Sequence, residues 1–230
     1  MNVLITNDDG IDAPGIRALE QALDGTVYVV APDQERSECG HSLETKAKIK
    51  VEQRGARRWA VFGRPADCVR LALSQLFADV RFDWVCSGVN QGGNLGVDQY
   101  ISGTVAAARE AAIHGLPSVA FSHYLRRGVA LNWDRVSVWT RRVFEQLRRE
   151  GPVPSGIWNV NFPSLAPEVS VFPEMVFCST SIRPLPLAFE GDAETGFRYC
   201  GAYSDRDREP ESDVAVCFGG AISITRQRLG

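Results

Sequence analysis

The chain opens with MNVLITNDDG, and this stretch constrains the fold more than any other. Val3, Leu4 and Ile5 form an apolar run without polar alternation, the pattern of a strand covered on both faces. A helix follows at once. Asp12 is placed to cap it and Pro14 suits its first turn. Ile16, Leu19 and Leu23 recur at helical spacing, and Gly25 ends the helix. Residues 26–31, TVYVVA, read as the next strand. Strand, helix and strand within about thirty residues make a βαβ unit, so the two strands run parallel. Ligands of such sheets bind beyond the carboxyl ends of the strands, and Asp8 and Asp9 lie at one such end.

Neighbouring side chains of a regular strand point to opposite faces. Asp8 and Asp9 therefore converge only if the strand has broken into a turn, which Gly10 permits. Two carboxylates held together repel unless a cation sits between them, and carboxylate oxygens suit Mg or Mn. The competing reading is a solvated Asp-Asp-Gly turn. By the same topology the polar stretch after the second strand, residues 32–42, emerges on the same edge of the sheet. It carries Ser37 and also His41, which reads as a turn or supporting residue rather than a catalyst.

Residues 46–51 and 58–62 read as strands of a hairpin around Gly55. Pro65 opens a helix with Val69, Leu71, Leu73 and Leu76 as apolar contacts, and Cys68 as a small buried side chain. Residues 82–86, FDWVC, form a third apolar strand. The glycine-rich stretch 87–98 follows, offering Asn90 and Asn94 as neutral oxygen ligands or amide donors. It is not a Walker loop, and its glycines do not run straight into a helix as a dinucleotide fingerprint does. Ser102, Gly103 and Thr104 open a helix that ends at Gly115. A helix start is both a capping site and an anion site, because the same free amides serve both.

Residues 116–122 form another strand, 132–150 an amphipathic helix with its aromatics inward, and 157–162 a strand that Pro163 ends. The pattern then changes. Residues 164–212 read as irregular or hairpin-like, and 213–225 return to strand character. The division is a catalytic core over 1–163 and an extension over 164–230 suited to oligomerisation. A net charge of -3 argues against a nucleic-acid-coating protein. No apolar run approaches a membrane span, and no signal sequence opens the chain. Six cysteines without zinc spacing read as reduced thiols of a cytoplasmic protein.

Three loops after apolar strands thus carry oxygen ligands: Asp8-Asp9, Ser37 and Asn90. Their order resembles the SurE (survival protein E) family. The matching stretches are TNDDGI, VVAPDQERSECGHS, GRPADCV, SGVNQGGNLGVD, SGTV, NVNFP and SITR, which span nearly the whole chain. The resemblance implies an α/β fold, a Rossmann-like three-layer αβα arrangement with a largely parallel sheet and a hairpin-bearing C-terminal extension. It implies a cytoplasmic phosphatase of nucleoside 5′- and 3′-monophosphates, sometimes of polyphosphate, with one divalent metal ion (Mg or Mn) per subunit. The family assembles as a homodimer or homotetramer. Its metal ligands fall on Asp8, Asp9, Ser37 and Asn90, and its phosphate contacts on Asn94, Ser102, Gly103 and Thr104. Asp8, Asp9 and Asn90 are thereby the candidate catalytic residues, with either a metal-activated water or Asp8 as nucleophile. The chain departs from the family at Arg64, where Thr is usual, and at its end, GGAISITRQRLG. The competing function is a nucleotide-binding module that uses the 88–96 loop without hydrolysis.

Overall fold

The computed structural model describes residues 1–37 and 39–229. Glu38, within the polar stretch after the second strand, and Gly230 lie outside the described residues. Strand β1 (Asn2–Thr6) leads through helix α1 (Pro14–Ala22) to β2 (Thr26–Pro32). The hairpin β3 (Val51–Gly55) and β4 (Arg58–Val61) comes next, then α2 (Pro65–Leu71), which runs on as a π-helical turn at Ala72–Leu76. Strand β5 (Trp84–Gln91), helix α3 (Gly103–Ile113), strand β6 (Ser118–His123), helix α4 (Trp133–Glu150) and strand β7 (Gly156–Phe162) complete the alternating part. The C-terminal part holds β8 (Met175–Phe177), the hairpin β9 (Phe189–Asp192) and β10 (Gly196–Tyr199), α5 (Asp213–Phe218) and β11 (Ile222–Arg228).

Nine strands form one sheet in the order β3-β4-β2-β1-β5-β6-β7-β11-β8. Strands β4, β2, β1, β5, β6 and β7 are mutually parallel, in register Val29 to Ile5 to Cys86 across the centre. Among the described residues, the antiparallel pairs within it are β3 against β4 and β11 against β7. The apolar run of β1 divides between two cores because successive side chains alternate. Val3 and Ile5 join α1 and α4 on one face, through Ile16, Leu19, Val143 and Leu147. Leu4 joins α2 and α3 on the other, through Val69 and Ala107. This is the expected three-layer, largely parallel α/β architecture. Residues 164–229 add β11 and β8 to one edge of that sheet and form the separate β9–β10 hairpin. Among the described residues, no helix is long and apolar enough to cross a membrane.

Four local expectations are corrected. The cap of α1 is Ala13, with no side-chain hydrogen bond, so Asp12 does not cap. The first strand of the hairpin begins only at Val51, so residues 46–50 precede it. The third apolar strand does not stop at Cys86. It stays paired with β6 as far as Gln91 opposite His123, with a register shift between Ser87 and Asn90. A Cβ at Gly88 would stand 2.2 Å from the Phe121 carbonyl oxygen, so only glycine lets the two strands stay this close there. Last, residues 213–218 are helical, not extended. Ser212 accepts a hydrogen bond from the Ala215 amide, and this side-chain cap outweighs the β-propensity of Val214 and Val216.

Candidate active site

Asp8 follows the carboxyl end of β1. The turn there is tied by Asn7, whose side chain donates to the Gly10 carbonyl (2.8 Å) and accepts from the Gly10 amide (3.2 Å). The pair is held from three directions. The Gln91 amide, at the end of β5, donates to Asp9 Oδ2 at 3.2 Å. The Arg36 amide donates to the Asp8 carbonyl at 2.7 Å, which draws the segment after β2 over the turn. Thr104, in the first turn of α3, donates from its hydroxyl to Asp8 Oδ1. The start of α3 lies directly against Asp8: a Cβ on Gly103 would fall 2.8 Å from the Asp8 Cβ and 2.9 Å from Oδ2.

These elements enclose a cleft of about 330 Å³. Asp8, Asp9, Ser37, Asn90, Asn94 and Ser102 all line it, from four separate segments of the chain. Asn94 is fixed by a 2.7 Å bond from its Nδ2 to Ser122 Oγ, and its backbone is gripped by Asn159 and Asn161 of β7. Ser102 caps α3 through a 3.1 Å bond from the Val105 amide. Asn90 donates to the Gly92 carbonyl at 2.9 Å, and Ser37 to Glu35 Oε1 at 2.7 Å. Thr104 and Gly103 stand behind this lining. Thr104 is fully buried with its hydroxyl on Asp8, so it orients that carboxylate.

Burial pushes the Asp8 carboxyl up to about 6, assisted by the neighbouring Asp9 and opposed by the hydrogen bonds from Thr104. Asp9 is also raised, again mainly by burial, with the Gln91 amide opposing and Glu35 assisting. The donor set is two carboxylates plus the neutral oxygens of Ser37 and Asn90, which suits a hard divalent ion that keeps several waters. Among the described residues, no three His, Cys, Asp or Glu side chains are grouped to hold an ion by themselves. A metal here would rest on the Asp pair and the neutral oxygens.

His41 is drawn elsewhere. Its Nε2 lies 2.7 Å from Glu110 Oε2 on α3, and it does not line the cleft. Arg64 likewise faces a neighbouring cavity. Residues that sequence reasoning passed over also line the cleft, Glu35, Asp98, Leu185 and Tyr203 among them. Glu35 and Asp98 sit within the polar stretches already singled out, so their position carried a signal. Leu185 and Tyr203 carried none. Tyr203 arrives because its OH donates to Asp98 Oδ2 at 2.7 Å, beside the buried Arg206, which donates to Asp98 and to the Leu95 carbonyl. Asp213 completes the dock by accepting from the amides of Gly96 (2.7 Å) and Ser181 (2.9 Å).

Comparison with known proteins gives a consistent picture. The family model described as "Survival protein SurE" matches residues 3–183. A relative from Nostoc sp., whose name gives a 5′-nucleotidase activity as provisional, is 48% identical over 230 residues and covers 100% of both chains. A Caulobacter vibrioides protein named 5′-nucleotidase SurE is 40% identical over 246 residues, covering 98% of this chain and 89% of its own. The crystal structure of the SurE protein from Aquifex aeolicus superposes with a TM-score of 0.86 at 31% identity, covering 100% of this chain and 94% of its own.

Proposed function

This chain belongs to the SurE family, and from that membership together with the geometry of the cleft we propose that it is a divalent-metal-dependent 5′-nucleotidase. It hydrolyses nucleoside 5′-monophosphates to nucleoside and phosphate, and accepts 3′-monophosphates and polyphosphate at the same cleft. The observation that carries this reading is the apposition of Asp8 to the start of α3 at Gly103 and Thr104. It sets a pair of carboxylates, which would hold a metal, beside a helix N-terminus whose free amides suit phosphate oxygens.

In this reading Asp8, Asp9, Ser37 and Asn90 hold one Mg or Mn ion, which supplies Lewis-acid activation of water and neutralises phosphate charge. The chain's own residues do the rest. Thr104 and the Gln91 amide orient the two carboxylates. Asn94 has one amide hydrogen on Ser122 and turns the other to a phosphate oxygen. Ser102 and the first amides of α3 hold further phosphate oxygens where charge develops. The ester P–O bond breaks, and the leaving oxygen takes up a proton. Among the residues that line the cleft none forms an evident base-reading pair, so the nucleobase is broadly tolerated. The β9–β10 hairpin exposes Phe189 and Phe197, with Leu187 just before it, which supports assembly of like subunits through this region.

Phosphate release from adenosine and guanosine monophosphates, measured with Mn or Mg and again with excess chelator, tests the reading. Release that stops with chelator and returns with metal is expected. Release indifferent to chelator contradicts the metal, and binding without turnover contradicts the hydrolysis.

A further inference from the structure

A second cleft of about 250 Å³ adjoins the first. Arg36, Ser37, Cys39, Glu44, Phe62 and Arg64 line it. Ser37 belongs to both clefts, so they meet at one side chain. Cys39 marks the same junction from the inside: a Cβ on Gly103 would touch Asp8 on one side and the Cys39 Sγ, at 3.1 Å, on the other.

The two guanidiniums are only partly used. Arg36 places Nη2 on Asp33 at 3.0 Å, but its Nε is out of solvent and has no acceptor among the described residues. Among the described residues, the carboxylate within ion-pair distance of Arg64 is Glu44, at 3.8 Å, beyond hydrogen-bond reach. Glu44 is itself engaged, since its other oxygen accepts from the amides of Lys46 (2.9 Å) and Ala47 (3.0 Å). The wall beside it adds positive charge, because Lys50 lies 4.4 Å over the Phe62 ring. Two planar forks with donors to spare, in a small cavity of a chain with net charge -3, match a phosphate dianion better than water alone.

We propose that Arg36 and Arg64 form a subsite for a second phosphate, so that the preferred substrate is a nucleoside carrying two phosphates, such as a 3′,5′-bisphosphate. The inference rests on the hydrolytic reading of the first cleft. One phosphate sits at the Asp pair. Water adds to its phosphorus, the ester P–O bond breaks, and the sugar oxygen takes a proton. Inorganic phosphate and a nucleoside monophosphate leave. The second phosphate is not cleaved; it anchors the substrate in the arginine cleft during the step and departs on the nucleoside monophosphate.

Arg64 is the residue to vary, since it lies outside the metal and phosphate residues named above and its side chain is 37% exposed. With the Mn-loaded protein, adenosine 3′,5′-bisphosphate should have a lower KM than adenosine 5′-monophosphate. Arg64→Gln should raise KM for the bisphosphate by about ten- to a hundredfold, the range for a lost charge-assisted bond, with kcat little changed. The monophosphate should be nearly unaffected, and Arg64→Lys should rescue part of the loss because it keeps the charge but not the fork. Calorimetric binding of both nucleotides to both proteins reads the subsite without turnover. Absence of any phosphate release would then sink the hydrolytic reading alone, while the binding difference still decides the subsite. An equal change for both nucleotides, or none, overturns the proposal. Arg64 dependence of tripolyphosphate binding without that of the bisphosphate overturns the nucleotide as its source.

Discussion

The Thr104 hydroxyl donates to Asp8 Oδ1 across 96 residues of sequence, joining the start of α3 to the end of β1. Both partners are buried, and α3 approaches this closely only because Gly103 lacks a Cβ. The bond fixes which way the Asp8 carboxylate faces and favours its ionised form against burial.

Thr104→Ala should therefore lower kcat by about ten- to a thousandfold, comparable to losing one transition-state donor. Ser102, not Thr104, caps α3, so the stability loss should be that of one buried hydrogen bond, about 1 kcal/mol. Thr104→Ser should restore most of the activity. Steady-state kinetics on the three proteins checks this. Full activity in Thr104→Ala would leave the hydroxyl without a role in turnover.

This bond also indicates what the sequence made legible. Segments that follow apolar strands could be placed, because a parallel sheet sends the carboxyl ends of its strands to one edge. Asp8, Asp9, Asn90 and Ser102 meet in the cleft for that reason. The continuation of β5 through Asn90 was hidden, since Gly88 reads as a loop residue until the Phe121 carbonyl is seen beside it. Helix α5 was hidden for a related reason: its β-branched residues argue for a strand, and only the Ser212 cap and the Asp213 bonds to Gly96 and Ser181 favour the helix. Tyr203 and Arg206 could not be placed at all. Their partner Asp98 is 105 and 108 residues away, and no periodicity encodes such a pairing.

The Asp98–Arg206 pair is nearly out of solvent, with side-chain exposures of 8% and 3%. Arg206→Ala should strand the Asp98 charge and destabilise the protein by about 3–5 kcal/mol. Arg206→Met with Asp98→Asn removes both charges and should recover a large part of that loss. Urea unfolding of the wild type, the single and the double variant tests the coupling. Equal losses in the single and double variants would mean that the charge pair does not hold the extension.

His123, at the end of β6, is buried, stacks on Trp139 with a centroid separation of 6.3 Å, and finds no partner for either ring nitrogen among the described residues. Burial lowers its imidazole to about 4, with Arg135 adding to the effect. The unfolded chain then binds the proton first, so stability falls as pH drops from about 6.5 towards 4. The contribution reaches roughly 3 kcal/mol at the acid end. His123→Phe keeps a flat ring on Trp139 and should unfold with a shallower pH dependence in that window. Identical slopes of urea midpoint against pH for the two proteins would contradict this.

The central claim is that Asp8 and Asp9 are placed for a metal ion and not for the fold. Burial raises both carboxyls, with Asp9 adding to the effect on Asp8 and Glu35 to that on Asp9, so on this claim the metal-free protein carries an unfavourable contact that a cation would relieve. The most direct measurement is the melting temperature of wild type and Asp9→Asn across a Mn titration, with phosphate release followed in parallel. The wild type should gain melting temperature with Mn by mass action. Asp9→Asn should melt at the same or a higher temperature without metal, gain little or nothing with it, and lose activity by several orders of magnitude. An Asp9→Asn protein that is active, or one that is inactive because it melts well below the metal-free wild type, would contradict the claim and make the pair a structural turn.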